Sequence, residues 1–218
     1  GDFEQALPKM KQWGGTGIIA RIPNERVAKA ILEANLPTIA LGLTDEQMLP
    51  ESPLAAFSEL SSDAVEVATM AANHLMERRF RHFAYVGVED RAWSKRRERE
   101  FTLQIRKAGF EPHIYPQPPK PADRVWEKEQ ALIVKWLDQL PKPVGLFACN
   151  DDRGREVLEA CRLMKLRVPE DVAVVGVDND EVFCGLAYPP LSSVALNAET
   201  AGYRAAELLD CMMHGSIN

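Results

Sequence analysis

The sequence predicts an α/β fold of parallel sheets covered by helices, and two observations carry that prediction. Short apolar runs alternate with segments of helical periodicity along the whole chain. Runs such as Val144-Gly-Leu-Phe-Ala148 and Val172-Ala-Val-Val-Gly-Val177 are apolar or small at every position, as strands buried on both faces must be. With 218 residues, 46% of them hydrophobic, the chain suffices for one large domain or two small lobes without disulfide staples.

Each element has a local reason. Gly17-Ile-Ile-Ala20 follows a Gly-Gly turn and reads as the first strand. Asn24 suits an N-cap, and Val27, Ala30, Ile31 and Ala34 fall on one face of the helix behind it. Pro37-Thr-Ile-Ala-Leu41 gives the next strand, followed by a Pro-rich loop and a weaker strand near Phe57–Leu60. Asp63 is placed to cap a helix reaching Arg78, with Val67, Met70, Ala71, His74 and Leu75 at helical spacing. The strand Arg81–Gly87 comes next, then a charged helix from Ser94 to Ala108 that stops at Gly109. The Pro-rich stretch Pro112–Pro121 holds loop and one short strand. A helix from Val125 to Gln139 is expected to bury Leu132, Ile133, Trp136 and Leu137. The strand Val144–Ala148, the helix Asp152–Met164, the strand Val172–Val177, a loop at Pro189-Pro190 and the helix Ala198–Met213 complete the chain.

Charge and motif content exclude several functions. With 26 basic and 32 acidic side chains the net charge is −6, which argues against this piece gripping DNA or RNA itself and leaves open a nucleic-acid-binding module elsewhere. Glutamates interleave the run Lys95-Arg-Arg-Glu-Arg-Glu100, as on a solvated helix face, although one of its arginines can point toward the strand ends. Arg78, Arg79 and Arg81 end a helix, where cations suit the dipole and the surface. Cys149, Cys161, Cys184 and Cys211 lack CxxC spacing and read as idle thiols of a reducing compartment; His74, His82, His113 and His214 share no ligand spacing. No metal or cofactor is expected. There is no GxGxxG, P-loop or GxSxG, and Gly14-Gly-Thr-Gly17 precedes a strand, the wrong side for phosphate. No apolar run approaches the roughly 20 residues of a membrane helix. Gly1-Asp-Phe-Glu-Gln5 lacks a secretory profile, so the expected location is the cytoplasm, with no membrane partner.

Three strands end in polar clusters: Gly87-Val-Glu-Asp90, Cys149-Asn-Asp-Asp152 and Gly176-Val-Asp-Asn-Asp180. Ligands of parallel α/β sheets bind beyond the carboxyl ends of the strands. Asp178, Asn179 and Asp180 can serve as turn and cap residues, or as hydrogen-bonding groups for a polyol with an arginine fork completing the set. Trp93, alone among charged residues, is either a packing residue or a platform for the C–H face of a sugar. Asp178-x-Asp180-x-Val182 resembles the nucleophile motif of haloacid-dehalogenase-type phosphatases. That motif belongs near the start of its domain with a lysine downstream, whereas the 36 residues after Val182 contain no lysine. No enzyme is expected.

A family resemblance sharpens this reading. Asn73-His-Leu-Met-Glu-Arg-Arg-Phe-Arg-His-Phe-Ala-Tyr-Val-Gly87, Phe147-Ala-Cys-Asn-Asp151, Leu166-Arg-Val-Pro-Glu-Asp-Val-Ala-Val-Val-Gly-Val-Asp178 and Pro189-Pro-Leu-Ser-Ser-Val194 resemble, in order, the strings of LacI-type sugar-binding regulators. Arg97-Glu-Arg-Glu-Phe101, Val177-Asp-Asn-Asp-Glu181, Leu191-Ser-Ser-Val-Ala-Leu196 and Ala201-Gly-Tyr-Arg-Ala-Ala206 are similar to the xylose-operon activators, which join a LacI-like sensor to a C-terminal AraC-type pair of helix-turn-helix motifs.

The resemblance implies two doubly wound parallel-sheet lobes with a ligand crevice between them, periplasmic-binding-protein-like of type I. Residues 1–81 plus 195–218 would form one lobe and 82–194 the other; the family's first strand and helix are not found in the sequence. It also implies the ligand contacts: Arg99 forking onto ligand oxygens, Asp178 accepting from sugar hydroxyls, Asn150 or Asp151 as the third polar contact, and Asn179 and Asp63 as weaker candidates. The partners implied are a small sugar, with a pentose such as xylose first, a second copy in a homodimer, and DNA through a domain not in this chain. A secreted sugar-binding protein of a transport system and the sensor of a LacI-type repressor are the alternatives.

Overall fold

The computed structural model describes residues 14–120 and 124–215. The N-terminal Gly1–Gln5 and the end of the Pro-rich stretch at Pro121, both considered above, lie outside the described residues. The chain divides into two compact units, one of Gly1–Ser62 with Asn197–Asn218 and one of Asp63–Leu196.

The first unit is a parallel sheet, β1 (Ile18–Ala20), β2 (Thr38–Leu41) and β3 (Ser58–Leu60), in that order. Helix α1 (Glu25–Ala34) starts where Asn24 accepts a hydrogen bond from the Val27 amide and stops where Asn35 turns left-handed. Its buried residues Val27, Ala28 and Ile31 pack with Ile18, Ala40 and Leu54, whereas Ile39 points the other way and meets Ala205 and Leu209 of the C-terminal helix. That alternation of Ile39 and Ala40 is the two-residue period of a strand covered on both sides. Two 3-10 turns, Glu46–Met48 and Pro53–Ala56, break up what the sequence reads as loop.

The second unit holds helix α2 (Ala64–Glu77), β4 (His82–Val86), α3 (Ala92–Lys107), β5 (Pro112–Ile114), α4 (Trp126–Gln139), β6 (Val144–Ala148), α5 (Asp151–Met164), β7 (Val172–Asp178), α6 (Glu181–Leu186) and β8 (Ser192–Ala195). All five strands are parallel, in the order β5-β4-β6-β7-β8. Phe83, Tyr85, Phe147, Val175 and Val177 face α2 and α3, while Ala84, Val86, Leu146, Ala148 and Val174 face α4 and α5. The first face is aromatic on β4 and β6, with the Tyr85 and Phe147 rings 5.4 Å apart and those of Phe101 and Phe147 5.1 Å apart, separations at which edge and tilted rings attract. From β4 the chain runs outward to β5 and then returns to the far side of β4 as β6. The topological switch therefore lies between β4 and β6, where such sheets bind ligands.

Three expectations are corrected. Helix α2, assigned from the sequence to the first lobe, belongs with the second unit, so the division falls at Ser62 and not at Arg81. The reason is burial: Val67, Ala68, Ala71, Ala72 and Leu75 are sealed against Phe83, Phe101, Ile105 and Phe147. Leu132, expected inside, is 42% exposed, and Met70, at helical spacing with the buried residues of α2, is 48% exposed. On α4 the buried stripe is Gln130, Ile133 and Leu137, with Glu129 beside it because its carboxylate meets a buried arginine, Arg153, at 2.9 Å. Neither α6 nor β8 was expected. Among the described residues no helix is long and apolar enough to cross a membrane, and no group of three or more His, Cys, Asp or Glu is placed to hold a metal ion.

Candidate functional site

The site is built at the carboxyl ends of β4, β6 and β7 in the second unit. Helix α3 begins at Ala92 and buries Ser94, Arg97, Phe101 and Ile105, a single stripe of helical period. Phe101 and Ile105 fill the aromatic face of the sheet. Arg97, a turn nearer the helix start, is carried by the same stripe over the strand ends and is only 3% exposed.

Burying a guanidinium is costly unless its donors are used. Arg97 donates from Nη1 to the carbonyl of Cys149, the residue that closes β6, at 2.5 Å. Its guanidinium lies over the Trp93 ring, 5.0 Å from the centroid. Burial lowers its pKa; among the charges opposing that effect, the carboxylate of Asp178 at the end of β7 is the largest. Arg97 and Asp178 thus form an electrostatic couple across adjacent strand ends. Arg97 is 97% withdrawn from water, whereas Asp178 is exposed.

The backbone around Asp178 is unusual. Asp178 has φ 107° and Asn179 φ 54°, values that side-chain-bearing residues rarely adopt and that cluster at ligand sites. The Asn179 amide donates to Ser193 Oγ at 3.0 Å and the Asp180 amide to Asp151 Oδ2 at 2.8 Å. On the other side of the switch, Tyr85 donates its hydroxyl to the Ser94 carbonyl at 2.6 Å, and Ser94 Oγ accepts the Val88 amide at 2.8 Å. Burial pushes the Tyr85 pKa well above 10, so it stays a neutral donor and holds the β4–α3 loop.

The residues expected from the sequence have different fates. Asp178 lies at the strand end facing Arg97, and Trp93 stands with them, its ring facing the guanidinium. Arg99, expected to fork onto a ligand, has its side chain 60% exposed with Nε donating to Glu100 at 3.0 Å. Two helical residues rotate a side chain by roughly 200°, which separates Arg99 from the stripe that carries Arg97. Asn150 caps α5, its Oδ1 accepting the Arg153 amide at 3.1 Å. Asp151 is 1% exposed and engaged inside the protein, so it lies behind the surface a ligand would meet. Asn179 is exposed and anchored by its backbone to Ser193. Asp63 spends its carboxylate on the α2 cap, accepting the Val65 and Glu66 amides. Asp180 caps α6 in the same way, the use that competed with the phosphatase motif. Arg97 and Ser193 were missed; the Arg97-Phe101-Ile105 spacing is the signal that finds the first, and nothing local marks the second.

Buried Arg153 and Glu129 form an ion cluster with the partly exposed Glu156. Arg153 Nη2 lies 2.9 Å from Glu129, its Nη1 pairs with Glu156, and Gln117 links Glu129 to the amide of Glu89 on the β4–α3 loop. Burial raises the pKa of Glu156, countered by Arg153.

A family profile described as a periplasmic binding protein-like domain matches residues 72–218. The Xylose operon regulatory protein of Escherichia coli (strain K12) is 30% identical over 211 residues, which is 95% of this chain and 53% of that protein. Its namesake in Haemophilus influenzae is 33% identical over 204 residues, 91% of this chain and 51% of the relative. A solved structure of a xylose-binding transcription activator matches with a TM-score of 0.80 at 27% identity, over 97% of this chain and 58% of that one. The chain spans about half the length of the curated relatives it matches. The profile covers more than half of the chain, on a doubly wound parallel fold with its polar groups at the strand ends. The chain belongs to the periplasmic binding protein-like domain family.

Proposed function

We propose that this chain is the sugar-sensing part of a transcriptional regulator and that it carries out no catalysis. The observation that carries the reading is the buried guanidinium of Arg97 facing the exposed carboxylate of Asp178 across two strand ends. A sugar hydroxyl both donates and accepts, so a carboxylate beside a guanidinium satisfies both of its roles, and an arginine fork does so with a fixed direction that lysine lacks. Arg97 takes the forking role first assigned to Arg99. Asp178 accepts from hydroxyls, and Asn150, whose Oδ1 serves the helix cap, offers its amide N–H groups as the third contact. Asn179 borders the same strand end.

The names of the relatives support a pentose, xylose first, as the ligand. Their greater length supports DNA contact through another part of the full protein, with a C-terminal AraC-type pair of helix-turn-helix motifs as the arrangement proposed. The protein acts as a homodimer in the cytoplasm. A ligand moves such a sensor only by its affinity difference for two states, and about 5.5 kcal/mol takes a population from nearly all of one to nearly all of the other. The test is fluorescence anisotropy of the full-length protein on its own upstream DNA, with and without D-xylose and a panel of other pentoses and hexoses. A change in DNA affinity with one sugar supports the reading; DNA affinity indifferent to all of them refutes it.

A further inference from the structure

We propose that Asp151 is a positioning residue for the site, a buried brace that sets the Asp178-Asn179-Asp180 turn through Ser193. The proposal rests on the reading that this turn meets the ligand. Asp151 begins α5, behind the strand ends, and is 1% exposed. A carboxylate so buried must be met by donors. Oδ2 accepts the Asp180 amide at 2.8 Å and the Cys184 thiol at 3.4 Å, and Oδ1 accepts the Ser193 hydroxyl at 2.6 Å. Because Ser193 gives its only hydrogen to Asp151, its oxygen is left as an acceptor, and it takes the Asn179 amide at 3.0 Å. One carboxylate therefore fixes two consecutive backbone N–H groups, one directly and one by relay.

Those amides follow the residue that most needs fixing. Asp178 at φ 107° sits in a conformation that its surroundings must impose, and Asn179 at φ 54° carries the left-handed turn onward. Strand register puts Ser193 beside Gly176, and a Cβ on Gly176 would run into Asp151 Oδ1. The brace thus occupies the space of a missing side chain, two residues before Asp178. Without it the turn is free to relax toward ordinary φ values, and the carboxylate of Asp178 swings away from Arg97.

The test compares Ser193→Ala, Ser193→Thr, Asp151→Asn and the Asp151→Asn/Ser193→Ala double variant. Amide hydrogen exchange is read at Asn179 and Asp180 in the sugar-free chain, and D-xylose affinity is read by calorimetry. In Ser193→Ala the Asn179 amide should exchange at least ten-fold faster, with Val157 and Leu158 in α5 unchanged. In Asp151→Asn at least one of the two turn amides should speed up, because the single oxygen of a carboxamide cannot accept from both the Asp180 amide and the Ser193 hydroxyl. D-xylose affinity should fall about ten-fold in Ser193→Ala and in Asp151→Asn, fall no further in the double variant, and stay near that of the unmodified chain in Ser193→Thr. Unchanged exchange at Asn179 and Asp180 overturns the brace whatever the sugar result. Faster exchange with no D-xylose binding even by the unmodified chain upholds the brace and counts against the ligand reading instead.

Discussion

Replacing Arg97 by methionine keeps most of the length of the side chain and removes its guanidinium. Two things are lost. The Cys149 carbonyl loses a charge-assisted donor at 2.5 Å, and a bound polyol loses its fork. Leaving a buried carbonyl unpaired costs about 1–3 kcal/mol, but removal of a desolvated cation offsets part of that, so folding should weaken by no more than about 2 kcal/mol. For a chain of this size that is a fall in Tm of roughly 4–8 °C. Binding should suffer more: two hydrogen bonds from a charged donor, at about 1.5–3 kcal/mol each, amount to roughly two to four decades in Kd. Arg97→Lys should fall between, because an ammonium restores the charge without the paired geometry. Arg99→Met removes a cation whose side chain is 60% exposed, and should change both Kd and stability by less than about 0.5 kcal/mol. Calorimetric titration with D-xylose beside thermal unfolding of the three variants decides the matter. If Arg99→Met abolished binding and Arg97→Met left it intact, the burial argument for choosing Arg97 would be wrong.

The remaining expectations concern stability and reactivity. Arg153→Met leaves Glu129, itself 4% exposed, and Glu156 without their cation, and urea denaturation should show a loss of about 3–5 kcal/mol; a loss below 1 would mean that water reaches the cluster. Hydrogen bonds from the side chain and backbone of Arg167 hold the Asp171 carboxyl down at about 2. Its contribution to stability is present above the unfolded value of about 3.9 and is lost as pH falls through about 2. A carboxyl NMR titration of Asp171 with a midpoint near 4 would contradict this, and Asp171→Asn should remove that acid-sensitive part of the stability. Burial pushes the Cys149 and Cys161 thiols up to about 12, so iodoacetamide at pH 8 should leave both unmodified in the native chain, as judged by mass spectrometry of its peptides.

Legibility of the fold in the sequence followed how local each signal is. Asn24 and Asp63 were readable as caps because a cap is a relation between a side chain and amides two or three residues on, and both accept as expected. The long strands were readable because burial on both faces leaves them apolar throughout. By contrast, β8 was hidden, since Ser192-Ser-Val-Ala195 is half polar and is ordered by pairing with β7, a tertiary contact that its own residues do not announce. The first-unit assignment of α2 failed for a related reason: which sheet an amphipathic helix covers is decided by tertiary partners, here Phe83, Phe101 and Phe147.

At the site, the acids after β6 and β7 were legible as clusters, but their roles were not. Asp151, Asp178 and Asp180 are chemically alike, yet one is a buried brace, one faces Arg97 and one caps a helix. Choosing between Arg97 and Arg99 needed the phase of α3. That phase follows from Phe101 and Ile105 in the sequence, but it becomes compelling only once their faces are seen in the core.

We propose that the acidic end of β7, with Arg97 opposite it, receives a sugar. Calorimetric titration of this chain with a panel of pentoses and hexoses, repeated on Asp178→Ala, tests it most directly. One sugar, a pentose first, should bind the unmodified chain, and the heat of binding should vanish in Asp178→Ala while that variant still unfolds cooperatively. Binding retained at full affinity in Asp178→Ala, or a folded chain that binds no member of the panel, would contradict it.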